Sequence, residues 1–132
     1  MPLKLTLKPH EKVIIGGAVI TNGGSASHFC VENNVAVLRQ ADILTEAQAD
    51  TPCKRIYLAI QLMYIDEKSS SVLHPIYWEL VKDVVEAAPS MKDLLSNISQ
   101  YIIDGAYYQA LKQAKKLILH EEELLKNVSE SR

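Results

Sequence analysis

Four histidines, two cysteines and a sparse set of basic side chains are the residues here that could do chemistry. His10, His28, His74 and His120 lie on four different predicted elements, and no pair has metal-ligand spacing. No metal centre and no cofactor are expected. Cys30 and Cys53 form no C-x-x-C pair, so buried free thiols are expected rather than a disulfide. A Cys–His nucleophile pair stays open, with no further constellation to support an enzyme, and no catalytic residue is assigned. Gly16-Gly17 and Gly23-Gly24 are not followed by a helical pattern, so they do not cradle phosphate at a helix N-terminus. Hairpin turns are expected at both. That leaves Lys4, Lys8, Lys12 and Arg39, all at predicted strand positions. Lysines on an open strand face can neutralise RNA phosphates. The planar arginine fork can bond or stack on a splayed base. The plain alternative is four solvated charges on a sheet's open face.

The elements that position these four come from the hydropathy pattern. Leu3, Leu5 and Leu7 alternate with Lys4, Thr6 and Lys8, the period of a half-buried strand. Pro9 ends it. Runs at Val13–Ile15, Ala18–Thr21, His28–Val31 and Val35–Arg39 are separated by turn residues, predicting a meander or small barrel. Phe29 is the one aromatic in this half and is expected in the core, so a stacking platform of the RNA-recognition-motif kind is not expected. From Asp42 onward the pattern is helical. Thr45 with Gln48 forms a capping box, and Thr51-Pro52 starts a helix running to about Ile65. That helix is apolar nearly all round, the mark of a buried central element. A second helix begins between Ser71 and Pro75 and ends at Ala88. Ser90 with Asp93 caps a third, Asp104-Gly105 breaks it, and a fourth runs from Ala106 to about Asn127. Glu121-Glu122-Glu123 is read as a solvated face. Ala110 and Ala114 are read as allowing close helix packing.

The expected fold class is therefore α+β: a small N-terminal antiparallel β-sheet or partial barrel, then a C-terminal helical bundle. Residues 1–44 form the β-rich RNA-binding part and 45–132 the helical part, packed as one compact unit. The chain has 132 residues, 48% of them apolar, enough for a core. A net charge of −2 argues against a broadly basic coat protein and leaves room for a local basic patch. Neither a secretory signal nor an apolar run near ~20 residues is present, so a cytoplasmic, non-membrane protein is expected.

The blocks MPLKLTLKPHEKVIIGGAVITNG, VENNVAVLRQADILTEAQADTPCKRIYLAIQLMYID and GAYYQALKQAKKLILHEEELL together resemble the FlbT family of flagellin post-transcriptional regulators, across essentially the whole chain. The resemblance implies a protein that associates with the 5′ untranslated region of flagellin mRNA, represses translation and promotes mRNA degradation. In some relatives the effect on flagellin is positive. It also implies a companion, a FlaF-type regulator of opposing effect. More distantly, LxLTxxxxE from Leu3 to Glu11, VIIGGAVI, and VAVLRQADI from Val35 to Ile43 are similar to the carbon storage regulator family. Those are strand-swapped homodimers that bind GGA-containing single-stranded loops. That likeness places its strand-end arginine on Arg39 and a first-strand basic position on Lys8, while Leu7 departs from it. A homodimer is consistent with short strands that bury little alone.

A second reading makes the chain a protein-interaction adaptor for flagellin or another flagellar regulator. Tyr101, Tyr107, Tyr108 and the alanine-rich face of the last helix then form its groove. In the RNA-binding reading, Arg39→Ala weakens leader binding and leaves the thermal midpoint nearly unchanged.

Overall fold

The structure, a computed structural model, describes residues 2–130, excepting the side chains of 129 and 130. The chain divides into two compact units, Met1–Ile43 and Leu44–Arg132. Antiparallel strands make up the first and helices the second, so the α+β class expected from the hydropathy pattern is what forms.

In the β unit, the leucine alternation becomes β1 (Leu3–Leu7), with Leu5 and Leu7 buried. Pro9 and His10 then occupy the centre of a tight turn, with the Glu11 N–H donating to the Lys8 carbonyl at 3.1 Å. His10 takes φ +63°, the position of a type II turn that glycine usually fills. Neighbours hold it there. The His10 N–H donates to the Gly23 carbonyl at 2.9 Å, and the Glu11 carboxylate accepts from the Lys8 N–H at 2.9 Å. β2 (Lys12–Ile15) and β3 (Ala18–Thr21) form a hairpin over Gly16 and Gly17, whose φ values of +58° and +87° match a type I′ turn. Val13 and Ile14 point to opposite faces of β2, yet both are buried, so β2 is covered on both sides.

The expected meander does not form. β4 (Ser27–Val31) pairs antiparallel with β1, Leu5 opposite Phe29, and β5 (Val37–Arg39) pairs with β2, Val13 opposite Arg39. The unit therefore holds a two-stranded ribbon, β1-β4, and a three-stranded sheet in the order β3-β2-β5. The second glycine pair makes a link between sheets rather than a hairpin, and Asn22 is the reason. Its side-chain amide donates to the carbonyls of Leu7, Lys8 and Ser25 at 3.2, 2.8 and 3.0 Å, and its oxygen accepts from the Ser27 hydroxyl at 2.7 Å. One side chain thus satisfies the backbone where β1 ends and steers the chain into β4.

The helical unit is built around α1 (Pro52–Ile65), which packs against both α2 (Ser70–Ala87) and α4 (Tyr107–Glu130); α3 (Lys92–Ile103) packs against α4. Ile56, Tyr57, Ile60 and Met63 of α1 are buried. Gln61 is buried too, and is satisfied: its oxygen accepts from the Leu44 N–H at 2.8 Å and its nitrogen donates to the Leu44 carbonyl at 2.9 Å. The Thr45–Gln48 box caps a short 3-10 turn, Glu46–Gln48. α2 begins at Ser70 and runs straight through Pro75. Proline in the second turn orphans only the Ser71 carbonyl, near the exposed helix start, where the loss is small. Ser90 does not cap α3. A 3-10 turn, Pro89–Met91, leads into that helix, and the Ser90 hydroxyl contacts His120 Nε2 at 3.3 Å instead. Tyr77 is fully buried with its hydroxyl 2.9 Å from that of Ser99, and burial pushes its pKa up to about 12.

Glu121 overturns the reading of the acidic triplet as a solvated face. Ala110, Ala114, Leu117 and Glu121 are all buried and follow one helical stripe on α4. The stripe ends on the N-terminus of α1. Thr51 caps that helix, its oxygen accepting from the Lys54 N–H at 3.2 Å, and its hydroxyl donates to the Glu121 carboxylate. The other carboxylate oxygen accepts from the Cys53 N–H at 3.1 Å. A negative group at a helix N-terminus is also stabilised by the positive end of the macrodipole. Removing it leaves buried donors without an acceptor, at about 2–4 kcal/mol. Glu121→Ala should therefore lower the thermal midpoint by roughly 5–15 °C, and Glu121→Gln by less, in a circular-dichroism melt. A midpoint within a degree of the parent would show that the cap contributes nothing.

Candidate nucleic-acid interface

The four basic residues singled out by type lie in the β unit and are all exposed. Residues 1–43 carry no other lysine or arginine, against Glu11, Glu32 and Asp42, so this unit is net +1 within a chain of −2. Lys4 lies inside β1 opposite Cys30. Lys8 lies one residue past the strand, at the start of the Pro9-His10 turn, rather than in it. By alternation Lys4 and Thr6 share the open face of the β1-β4 ribbon, opposite buried Leu5 and Leu7, and Lys8 follows at the turn that ends it.

Arg39 closes β5, an edge strand. Its Nη2 donates to the Thr6 carbonyl at 2.7 Å and lies 3.7 Å from the Glu11 carboxylate. Arg39 thus reaches the strand segment between Lys4 and Lys8, and ties the three-stranded sheet to the ribbon. Neither contact uses Nε or Nη1, and the side chain keeps 47% exposure, so donors remain for a ligand. Lys12 is not brought to this place. The register sets Arg39 beside Val13 on one face of the β3-β2-β5 sheet, and Lys12 points to the other face with Ile14.

Two further residues, His28 and Cys30, lie on the ribbon's open face and do not belong to the cationic set expected to bind RNA. β4 alternates in burial, with Phe29 half-buried and His28 and Cys30 exposed. His28 sits opposite Thr6, its Nδ1 3.0 Å from the Thr6 hydroxyl, which puts an imidazole between the two lysine positions. A period of two in Ser27–Val31 was the signal that could have found it. The same period corrects the expectation for Cys30, which faces solvent, while Cys53 is buried as expected. Burial, with the Glu121 carboxylate next to it, pushes the Cys53 thiol far above the ordinary thiol range. Among the other histidines, His74 bonds the Tyr107 hydroxyl at 3.1 Å. Among the described residues no cluster of three or more His, Cys, Asp or Glu could hold a metal.

In the helical unit, Tyr107 is engaged by His74, and Tyr108 lies against Tyr64 at 5.5 Å between ring centroids, with the Lys112 ammonium 5.0 Å from its own ring. Tyr101 lines a separate polar hollow of about 430 Å³ with Asn97, Gln100, Asp104 and Gln113. Ala110 and Ala114 are fully buried, as close helix packing requires. Among the described residues no helix is long and apolar enough to cross a membrane.

These features define an α+β protein whose candidate site is a set of exposed cations on short strands. A family model described as flagellar protein FlbT matches residues 3–125, and the chain belongs to that family. It is 46% identical over 125 residues to probable flagellum biosynthesis repressor protein FlbT 1 of Bradyrhizobium diazoefficiens, covering 94% of this chain and 85% of that protein. It is 40% identical over 125 residues to the probable flagellum biosynthesis repressor protein FlbT of Rhodopseudomonas palustris, covering 95% and 98%. It is 36% identical over 132 residues to the flagellum biosynthesis repressor protein FlbT of Caulobacter vibrioides, covering 98% and 93%. These relatives are named as repressors, not as enzymes. No solved structure matches this chain.

Two outcomes follow from the geometry. Arg39→Ala should cost about 1 kcal/mol of stability through the lost Thr6 bond, against the sequence-based expectation of an unchanged midpoint. A double-mutant cycle with Glu11→Gln measures the ion-pair share, expected below about 1 kcal/mol at this exposure. Cys30 should react rapidly with a thiol reagent in the native protein and Cys53 only on unfolding. Two fast thiols in native buffer would contradict the burial of Cys53.

Proposed function

We propose that this protein regulates flagellum biosynthesis after transcription. It associates with the 5′ untranslated region of flagellin mRNA in the cytoplasm, represses translation and promotes degradation of the message. Family membership over residues 3–125 carries this reading, since the relatives named above are flagellum biosynthesis repressors. The exposed Lys4 and Lys8, with Arg39 bonded to the Thr6 carbonyl between them in sequence, support an RNA contact in the β unit.

In this reading the lysines neutralise backbone phosphates, and the unused Arg39 donors meet a splayed base. His28 on the same open face offers a small ring for stacking. Lys12, on the far face of its sheet, contributes long-range attraction rather than a contact to the same nucleotides. Occupancy of the leader excludes the ribosome or recruits a nuclease. A FlaF-type regulator or flagellin is the expected protein partner.

Binding of a labelled flagellin leader RNA should weaken with salt. Two phosphate contacts, from Lys4 and Lys8, give a log–log slope of about −1.4, and removal of either lysine flattens it by about 0.7. Arg39→Lys, which keeps the charge but loses the fork, should weaken binding at unchanged slope. If a variant neutral at positions 4, 8, 12 and 39 binds the leader like the parent, the β unit is not the RNA-binding part. An adaptor without RNA contact of its own would show no shift at any salt.

A further inference from the structure

Outside the cationic strands, the helical unit holds an unfilled apolar groove of about 700 Å³. Its apolar lining includes Pro52, Val84, Met91, Leu124, Leu125 and Val128. It arises because α4 outruns α1. The two helices are antiparallel: Tyr108, near the start of α4, meets Tyr64 at the end of α1, and Glu121 meets Thr51 and Cys53 at its start. Beyond Glu121, α4 continues for nine residues to Glu130, and α1 has no residues left to cover it. Leu125 and Val128 on this overhang remain 56% and 53% exposed, although they continue the apolar pattern that packs lower down. α2 and the Pro89–Met91 turn supply the opposite wall.

The charges lining the groove have one sign. Asp50, Asp83 and Glu121 are all acidic, and among the described residues no lysine or arginine lines it. Glu121 is consumed by the cap, and Asp50 pairs with Lys54 at 3.3 Å, while Asp83 makes no ion pair among the described residues. We infer that this groove docks a basic amphipathic helix of a partner protein, in the place where α1 leaves the overhang of α4 bare. A helix with apolar side chains at i, i+3, i+4 and i+7 fills a groove between helices, and lysines or arginines on its flanks meet Asp83 and Asp50. A second copy of this chain is the poorer occupant. A two-fold pairing through the groove would bring Asp50 and Asp83 of each copy toward those of the other. RNA is repelled by the same rim. The surface is independent of the RNA-binding reading, and neither stands or falls with the other.

The probe is a fluorescein-labelled amphipathic peptide of about 18 residues, with a leucine stripe flanked by lysines. One control carries glutamates in place of the lysines, and another has the same composition scrambled. The full chain should bind the lysine peptide saturably and at least tenfold more tightly than either control. Leu125→Asp and Val128→Asp alter exposed positions, so they should keep the parent's melting curve and weaken binding at least tenfold. Asp83→Lys should weaken it severalfold and improve binding of the glutamate peptide. In a methyl-labelled sample, the signals of Val84, Met91, Leu124 and Leu125 should move on titration. The inference is overturned if no peptide binds, if the scrambled peptide binds equally, or if the two Asp variants bind like the parent. It is also overturned if the protein is a dimer that Leu125→Asp dissociates, since the groove then belongs to a second copy.

Discussion

A buried carboxylate at the start of a helix organises the C-terminal two-thirds of this protein. Pro52 has no N–H, so three N–H groups at the N-terminus of α1, those of Thr51, Cys53 and Lys54, lack intrahelical partners. Thr51 serves one of them, and Glu121 serves another while accepting the Thr51 hydroxyl. The charge is buried, which alone would be costly. The donors and the helix dipole offset that cost, and in return the position of α4 along α1 is set. With one end set by Glu121, the other is set by the Tyr64–Tyr108 contact. Fully buried alanines at 110 and 114 let α4 approach closely between these two points.

The β unit solves a different problem with similar means. Five short strands bury little by themselves, and they fall into a ribbon and a sheet that share no ladder. Side chains join them. Asn22 holds the end of β1 against the link into β4, and Arg39 carries the far edge of the sheet to the ribbon. The arginine is therefore part of the unit's construction and an exposed planar donor at once. A functional group that also holds structure is well oriented, because its rotamer is fixed before any ligand arrives.

Much of this was legible in the residues. Alternation located β1, paired glycines located the type I′ hairpin, and Thr51-Pro52 located the start of α1. What could not be read was which strands pair. A period of two gives faces, not partners, and the same turn residues serve a hairpin at Gly16-Gly17 and a crossing at Gly23-Gly24. Glu121 was misread because composition outweighed periodicity: three glutamates in a row suggest solvent, yet the stripe from Ala110 puts one of them inside. The four basic residues were found by type. Their sides were not, because the face of Lys12 relative to Arg39 depends on the β2–β5 register. The groove of the helical unit left no mark in the sequence, since it comes from the unequal lengths of two helices.

The contact between positions 51 and 121 also has a consequence for synthesis. During translation the first long helix of the bundle emerges well before the segment that completes its cap. Until codon 121 has been read, Thr51 and the Cys53 amide have only solvent to bond. Closure of the bundle is thus deferred to nearly the last moment of elongation, and a product truncated ahead of that codon lacks the means to finish its own second half.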